Sequence, residues 1–162
     1  MAQATIKGTD QISAILEALG SNSQDIAGRI LYKGASVVYD SMAAGVSSIQ
    51  VHQRGTYSAP GAYGGVPAEW KEGLQESLGI APHRHSGGKT DTSVGFDGYN
   101  GISTERYPGG MPNRMVARMV EKGGSWFPPQ PVVSKAGKSA RQAAIAAMEK
   151  QADEEIKKYT KG

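Results

Sequence analysis

The chain has no cysteine, only three histidines and no sustained apolar run. Without cysteine there is no disulfide framework, no thiolate metal site and no cysteine nucleophile, a composition that suits assembly in a reducing cytoplasm. No stretch approaches the ~18 apolar residues of a membrane-spanning helix. The opening "MAQATIKGTDQ" also lacks the apolar centre of a signal peptide, so a cytosolic product with no membrane partner is expected. Charge of one sign is scarce too. The net charge is +3, and the whole excess lies between Ser134 and Gly162, where seven Lys/Arg stand against four Asp/Glu. Mixed signs along one helix describe a solvated face more readily than a nucleic-acid site.

Glycine is what the chain has in abundance. It supplies 22 of 162 residues, and sixteen of these lie between Gly45 and Gly124, so the middle is rich in loops. A length of 162 residues suits a single domain, 1–162. "TDQISAILEALG" carries Ile12, Ile15, Leu16 and Leu19 at helical spacing between a Thr9 or Asp10 cap and Gly20. A second helix is predicted from Ser23 to about Gly45, with Ala27, Ile30, Leu31, Gly34, Val38 and Met42 on one face. Its glycines, Gly28 and Gly34, weaken a helix unless another segment approaches closely there.

Residues 46–67 have no apolar period and are expected to form a mobile loop, with Tyr57, Pro60 and Tyr63 as residues ordered by a partner. Alternation at Leu74, Glu76, Leu78 and Ile80, and again at Thr92, Val94 and Phe96, predicts an antiparallel pair of strands joined by "HRHSGGK". Met115, Val116, Met119 and Val120 predict a short helix that starts at Pro112-Asn113 and stops at Gly123 or Gly124. A long helix follows from Ser134 to about Tyr159, with a narrow stripe of Ala140, Ala144, Ile145, Met148, Ala152 and Ile156. The fold class is therefore α+β: an antiparallel sheet packed by N-terminal helices and a long C-terminal helix, with a long glycine-rich loop.

Motifs for chemistry are few. His83 and His85 would share one side of a strand, but no third ligand stands near, and an exposed turn is the preferred reading. "GGKT" at Gly87–Thr90 fails as a phosphate loop, because His83 stands where the first glycine belongs and no helix follows. "GFDGYNG" lacks the dinucleotide fingerprint. Glu121 as a general acid has no partner in the sequence, and a capping or ion-pairing role is preferred. Neither a catalytic residue, a metal nor a cofactor is expected.

Between the last two helices lies "GGSWFPPQP". Trp126 and Phe127 are predicted to be buried, while Pro128, Pro129 and Pro131 fix the angle at which the long helix departs. This elbow belongs to a recognisable succession. "GLQESLGI", "SVGFDG", "ARMVEKGGS" and "PPQPVVSKA", followed by a long charged helix, resemble the small tail-completion or neck proteins of long-tailed double-stranded DNA phages. Its most specific part is Ala117, Arg118, Glu121 and Gly123, followed by the turn from Pro131 to Lys135 and Ala136. The chain departs from the family at Glu72-Gly73, at Gly123-Gly124-Ser125 and at Pro131-Val132-Val133.

The resemblance implies a non-enzymatic virion component, made in the host cytoplasm, that completes the tail or joins it to the head. It implies a ring of identical subunits, six by analogy, touching the tail terminator and head-closure proteins, with DNA only as passing cargo. Arg118, Glu121, Gly123, Trp126, Phe127, Pro128, Pro129 and Pro131 would then be interface or elbow residues. The alternative is a nucleic-acid-binding module using Lys135, Lys138, Arg141, Lys157, Lys158 and Lys161.

Overall fold

The computed structural model describes residues 19–52 and 64–160. The helix expected over 9–20 lies, apart from its last two residues, outside them. Helix α1 runs Ser23–Ser47, α2 Ala68–Ser77, α3 Asn113–Lys122 and α4 Val132–Thr160. Strands β1 (Leu78–Ile80) and β4 (Val94–Phe96) pair antiparallel, with Leu78 opposite Phe96 and Ile80 opposite Val94. Strands β2 (Arg84–Ser86) and β3 (Lys89–Asp91) form a separate ladder between them. The architecture is α+β.

Helices α1 and α4 lie antiparallel along most of their length. Arg29 meets Glu155 at one end, Gly34 meets Met148 in the middle, and Ser41 and Gly45 meet Ala136 and Val132 at the other end. Ala136, Ala140 and Ala144 recur every four residues on α4, so the face turned inward is shallow. Gly34 answers it. A Cβ at that position would stand 2.7 Å from Met148 Cγ, closer than packed atoms tolerate. Gly28 is closed in the same way by the His83 ring, 2.9 Å from where a Cβ would be. The predicted close approaches at both glycines are therefore present. The inward face of α1 is centred on Ile26, Gly34, Ala35, Met42 and Val46, with the expected Ala27, Ile30, Leu31 and Val38 half-buried at its margin.

The expected strand at Leu74 and the expected simple turn need correction. Leu74 is not on a strand: it lies on α2, and only Leu78–Ile80 are extended. Trp70, Leu74 and Leu78 recur at intervals of four, and the helix-forming "AEWKE" ahead of Leu74 outweighs the weaker two-residue alternation. The predicted turn "HRHSGGK" is a hairpin in its own right, because Gly87 and Gly88 have φ of 58° and 75° and supply the paired left-handed conformation of a two-residue turn. Segment 46–67 is anchored at both ends. Val46, Ile49 and Val66 are buried, and His52 N donates to Val66 O (3.0 Å) while Val66 N donates to Gln50 O (2.9 Å). Residues 53–63, with Tyr57, Pro60 and Tyr63, lie outside the described residues.

The main core gathers Val46, Ile49, Val66, Leu74, Val116 and Val120, with Trp70 and Phe127 against it. A smaller one joins Met42, Leu78 and Ala136, and Phe96 borders both. Lys71 ties α2 to the end of α1, its Nζ donating to Ser47 O (2.7 Å) and Ile49 O (3.1 Å) where the helix leaves carbonyls unpaired.

The α4 stripe departs from expectation at its far end. Ile156 is 45% exposed, whereas Glu155 is 1% exposed. Three turns of helix take about 11 residues, so Ala144 is followed on the inner face by position 155, and Ile156 is rotated away by ~100°. The buried carboxylate is fully answered. Arg29 donates from Nη2 (2.8 Å) and Nε (3.0 Å), and Gln151 Nε2 and Lys158 Nζ each donate at 2.8 Å. These bonds, that of Arg29 foremost, hold the Glu155 carboxyl down at about 2 from an ordinary value of 4.5, against the opposing effect of burial.

Because the folded value lies below the unfolded one, the stabilisation from Glu155 is complete above pH 4.5 and is lost as pH falls toward about 2. In urea unfolding across this range, Glu155→Gln should lack that component of acid sensitivity. A gap between wild type and variant that stays constant down to pH 2 would contradict the assignment.

Candidate functional site

Helix α3 and the elbow after it hold the residues singled out by the sequence, and the structure separates them into two classes. Val116, Ala117 and Val120 face the core, and of these the helical spacing predicts Val116 and Val120. On the opposite side Arg114, Arg118 and Lys122, spaced at i, i+4 and i+8, stand as an exposed ridge. Met115 and Met119, half-buried, lie beside them in a shallow hollow of about 500 Å3 that ends at Gly123. Methionine is flexible and polarisable, so such a surface accommodates partners of varied shape.

The elbow begins at Gly123, for two separate reasons. Its φ of 72° is unfavourable for other residues, and a Cβ would stand 2.6 Å from Pro129 N, where the returning chain passes. Gly123 N closes α3 on Met119 O, and Gly124 N donates to Phe127 O at 3.0 Å. This turn sends neighbouring side chains opposite ways. Phe127 packs against the core, its ring edge-on to Trp70 at 5.7 Å and 88°. Trp126, expected to be buried, is 52% exposed. Pro128 and Pro129 are exposed and Pro131 is half-buried at the start of α4, where a ring without an N–H leaves no donor unpaired.

Two polar side chains fasten the elbow. The Glu121 carboxylate accepts from Val133 N at 2.5 Å and from Ser134 N at 3.3 Å, which makes it the cap of α4 supplied from another helix. Free N–H groups and the positive end of the helix dipole both favour a carboxylate there. The capping role preferred from sequence is therefore the one observed. The second fastening was not foreseen. Gln130 pairs with the backbone of Gln50 as a strand would, accepting from Gln50 N (2.7 Å) and donating to Gln50 O (3.1 Å), while its own N–H donates to Val120 O. The available signal was an amide isolated in "PPQP", where the prolines cannot donate.

The histidines are not brought together. His83 packs on Gly28, whereas His85 Nδ1 pairs with Thr90 Oγ1 at 3.0 Å. Among the described residues no three histidine, aspartate or glutamate side chains converge as metal ligands would. The arrangement is one of position: three cations and two thioethers displayed on a helix whose end is locked to the core.

If the elbow works this way, Phe127→Ala should cost about 3 kcal/mol and Glu121→Ala about 1 kcal/mol, whereas Trp126→Ala should cost less than about 1 kcal/mol. Urea unfolding of the three variants checks this ranking, and a Trp126→Ala loss equal to that of Phe127→Ala would contradict it. No protein-family model matches this chain, and no curated protein or solved structure matches it either.

Proposed function

We propose that the chain is a structural component of the neck or tail of a long-tailed double-stranded DNA phage, completing the tail or joining it to the head as one subunit of a closed ring. One observation carries the proposal. Within the segment that resembles the family, the motif residues serve geometry: Glu121 caps α4, Gly123 permits the elbow, Pro131 leads into the helix, and Arg118 stands outward on α3. A rigid outward face resting on structural residues suits a subunit whose neighbours read shape and charge.

On this reading the ridge of Arg114, Arg118 and Lys122 meets acidic surface on a neighbouring neck or tail protein, and the exposed Trp126 adds apolar area beside the corner. DNA passes as cargo and needs no sequence-specific contact. A nucleic-acid-binding role for α4 is less well supported. Lys135, Lys138 and Arg141 lie near one end and Lys157 and Lys158 at the other, with Glu149, Asp153 and Glu154 between them and Lys158 bonded to Glu155.

The genetic test is direct. The DNA flanking the coding sequence should carry portal and capsid genes on one side and tail-tube genes on the other, and deletion should leave filled heads and tails that fail to join. A metabolic neighbourhood, or a deletion that still yields infectious particles, would overturn the proposal.

A further inference from the structure

Away from the ridge, between α2 and the chain that leads from β4 to α3, lies a cleft of about 700 Å3. Glu69, Glu72 and Glu76 recur at i, i+3 and i+7 along α2 and line one side. Asp97 and Tyr99 line it as well, and Tyr99 is 69% exposed.

Negative charge alone would say little. The cleft is also lined by Asn100 and Asn113, which are 5% and 4% exposed. Asn100 Oδ1 accepts from Met111 N (2.9 Å) and Ile102 N (3.2 Å), and Asn113 Nδ2 donates to Asp97 O (2.9 Å), so the orientation of both amides is fixed by the loop they hold. Their other ends are left over. Asn100 Nδ2, Asn113 Oδ1 and Ser77 Oγ are buried beside the cleft with no hydrogen-bond partner among the described residues. Buried polar atoms are almost always paired, so an amide donor, an amide acceptor and a hydroxyl that can act as either, left together beside one cleft, point to a ligand that supplies the complements.

The cleft's chemistry narrows that ligand. Its carboxylates do not converge on a point as metal ligands would. They suit an extended cation, and a guanidinium offers several donors to carboxylates while its face stacks on an aromatic ring such as Tyr99. A polyamine would satisfy the carboxylates but has no acceptor for Asn100 Nδ2. A peptide has a cationic side chain, a carbonyl for Asn100 and an N–H for Asn113.

We propose that this cleft receives an arginine-bearing extended segment of a partner protein, its guanidinium among Glu72, Glu76 and Asp97 and against Tyr99, its backbone bonded to Asn100 and Asn113. The proposal concerns the chemistry of the segment and holds whether or not the assembly is a phage neck, so the genetic test above can fail while this one succeeds.

The probe is the peptide acetyl-Ala-Arg-Ala-amide, titrated into the isotope-labelled full chain and followed by backbone amide NMR. Citrulline in place of arginine keeps the shape and removes the charge. The arginine peptide should shift the amides of Gly73, Ser77 and residues 98–103. The citrulline peptide should bind at least about tenfold more weakly, as should the arginine peptide to Glu72→Gln/Glu76→Gln or to Tyr99→Ala, all at exposed positions that leave the fold intact. Spermidine should bind more weakly than the arginine peptide. No shift in the cleft, equal binding of the citrulline peptide, or spermidine binding as tightly would overturn the proposal.

Discussion

The close antiparallel contact of α1 and α4 is the constraint on which the rest of the molecule depends. Small residues on both sides, Gly34 and Ala35 on α1 and Ala136, Ala140 and Ala144 on α4, bring the two long helices close, with the Met148 side chain seated on Gly34. Little apolar area is available per turn, so the ends of the pair need separate fastening. At one end a buried carboxylate, Glu155, gathers Arg29, Gln151 and Lys158. A buried charge that lost its partners would be strongly destabilising, so this cluster specifies register as well as contact. At the other end Glu121 caps α4 and Gln130 clamps the elbow to Gln50.

From that frame the outward surfaces follow. The core residues of α3 hang from the main cluster with Val46, Ile49 and Leu74, and its C-terminal end is fixed by the same elbow that fixes α4. The cationic ridge therefore cannot turn relative to the helix pair without breaking the Glu121 cap. The N-terminal end of α3 is held by Asn113, which also shapes the acidic cleft. One short helix thus borders both a basic and an acidic surface, a distribution that suits contacts with two different neighbours.

Much of this was legible in the sequence wherever one local signal was strong. Met115, Val116, Met119 and Val120 with Gly123 define α3, Val94 and Phe96 define β4, and the glycines of α1 mark where other segments press against it. Failures arose where two signals competed or where the cause lay far away in the chain. Leu74 satisfies both a two-residue and a four-residue period, and the neighbouring helix formers decided between them. Adjacent aromatics at 126 and 127 carry no sign of which one turns inward; the Gly124 to Phe127 hydrogen bond decides that. Glu155 reads as one of several acids on a solvated helix, because its partner Arg29 is 126 residues away. Gln130 carries no local sign of its role for the same reason, its partner being 80 residues distant.

The helix contact itself is tested most directly by placing the same side chain at two glycines. Gly34 is closed by Met148, whereas Gly137, on the exposed side of α4, has open space where a Cβ would stand. In an isolated helix leucine is better than glycine by roughly 0.8 kcal/mol at either position. In urea unfolding, Gly137→Leu should raise stability by up to about that amount, and Gly34→Leu should lower it by about 1–3 kcal/mol through overpacking. Stabilisation by both substitutions would contradict the claim that the close contact of α1 and α4 organises the fold.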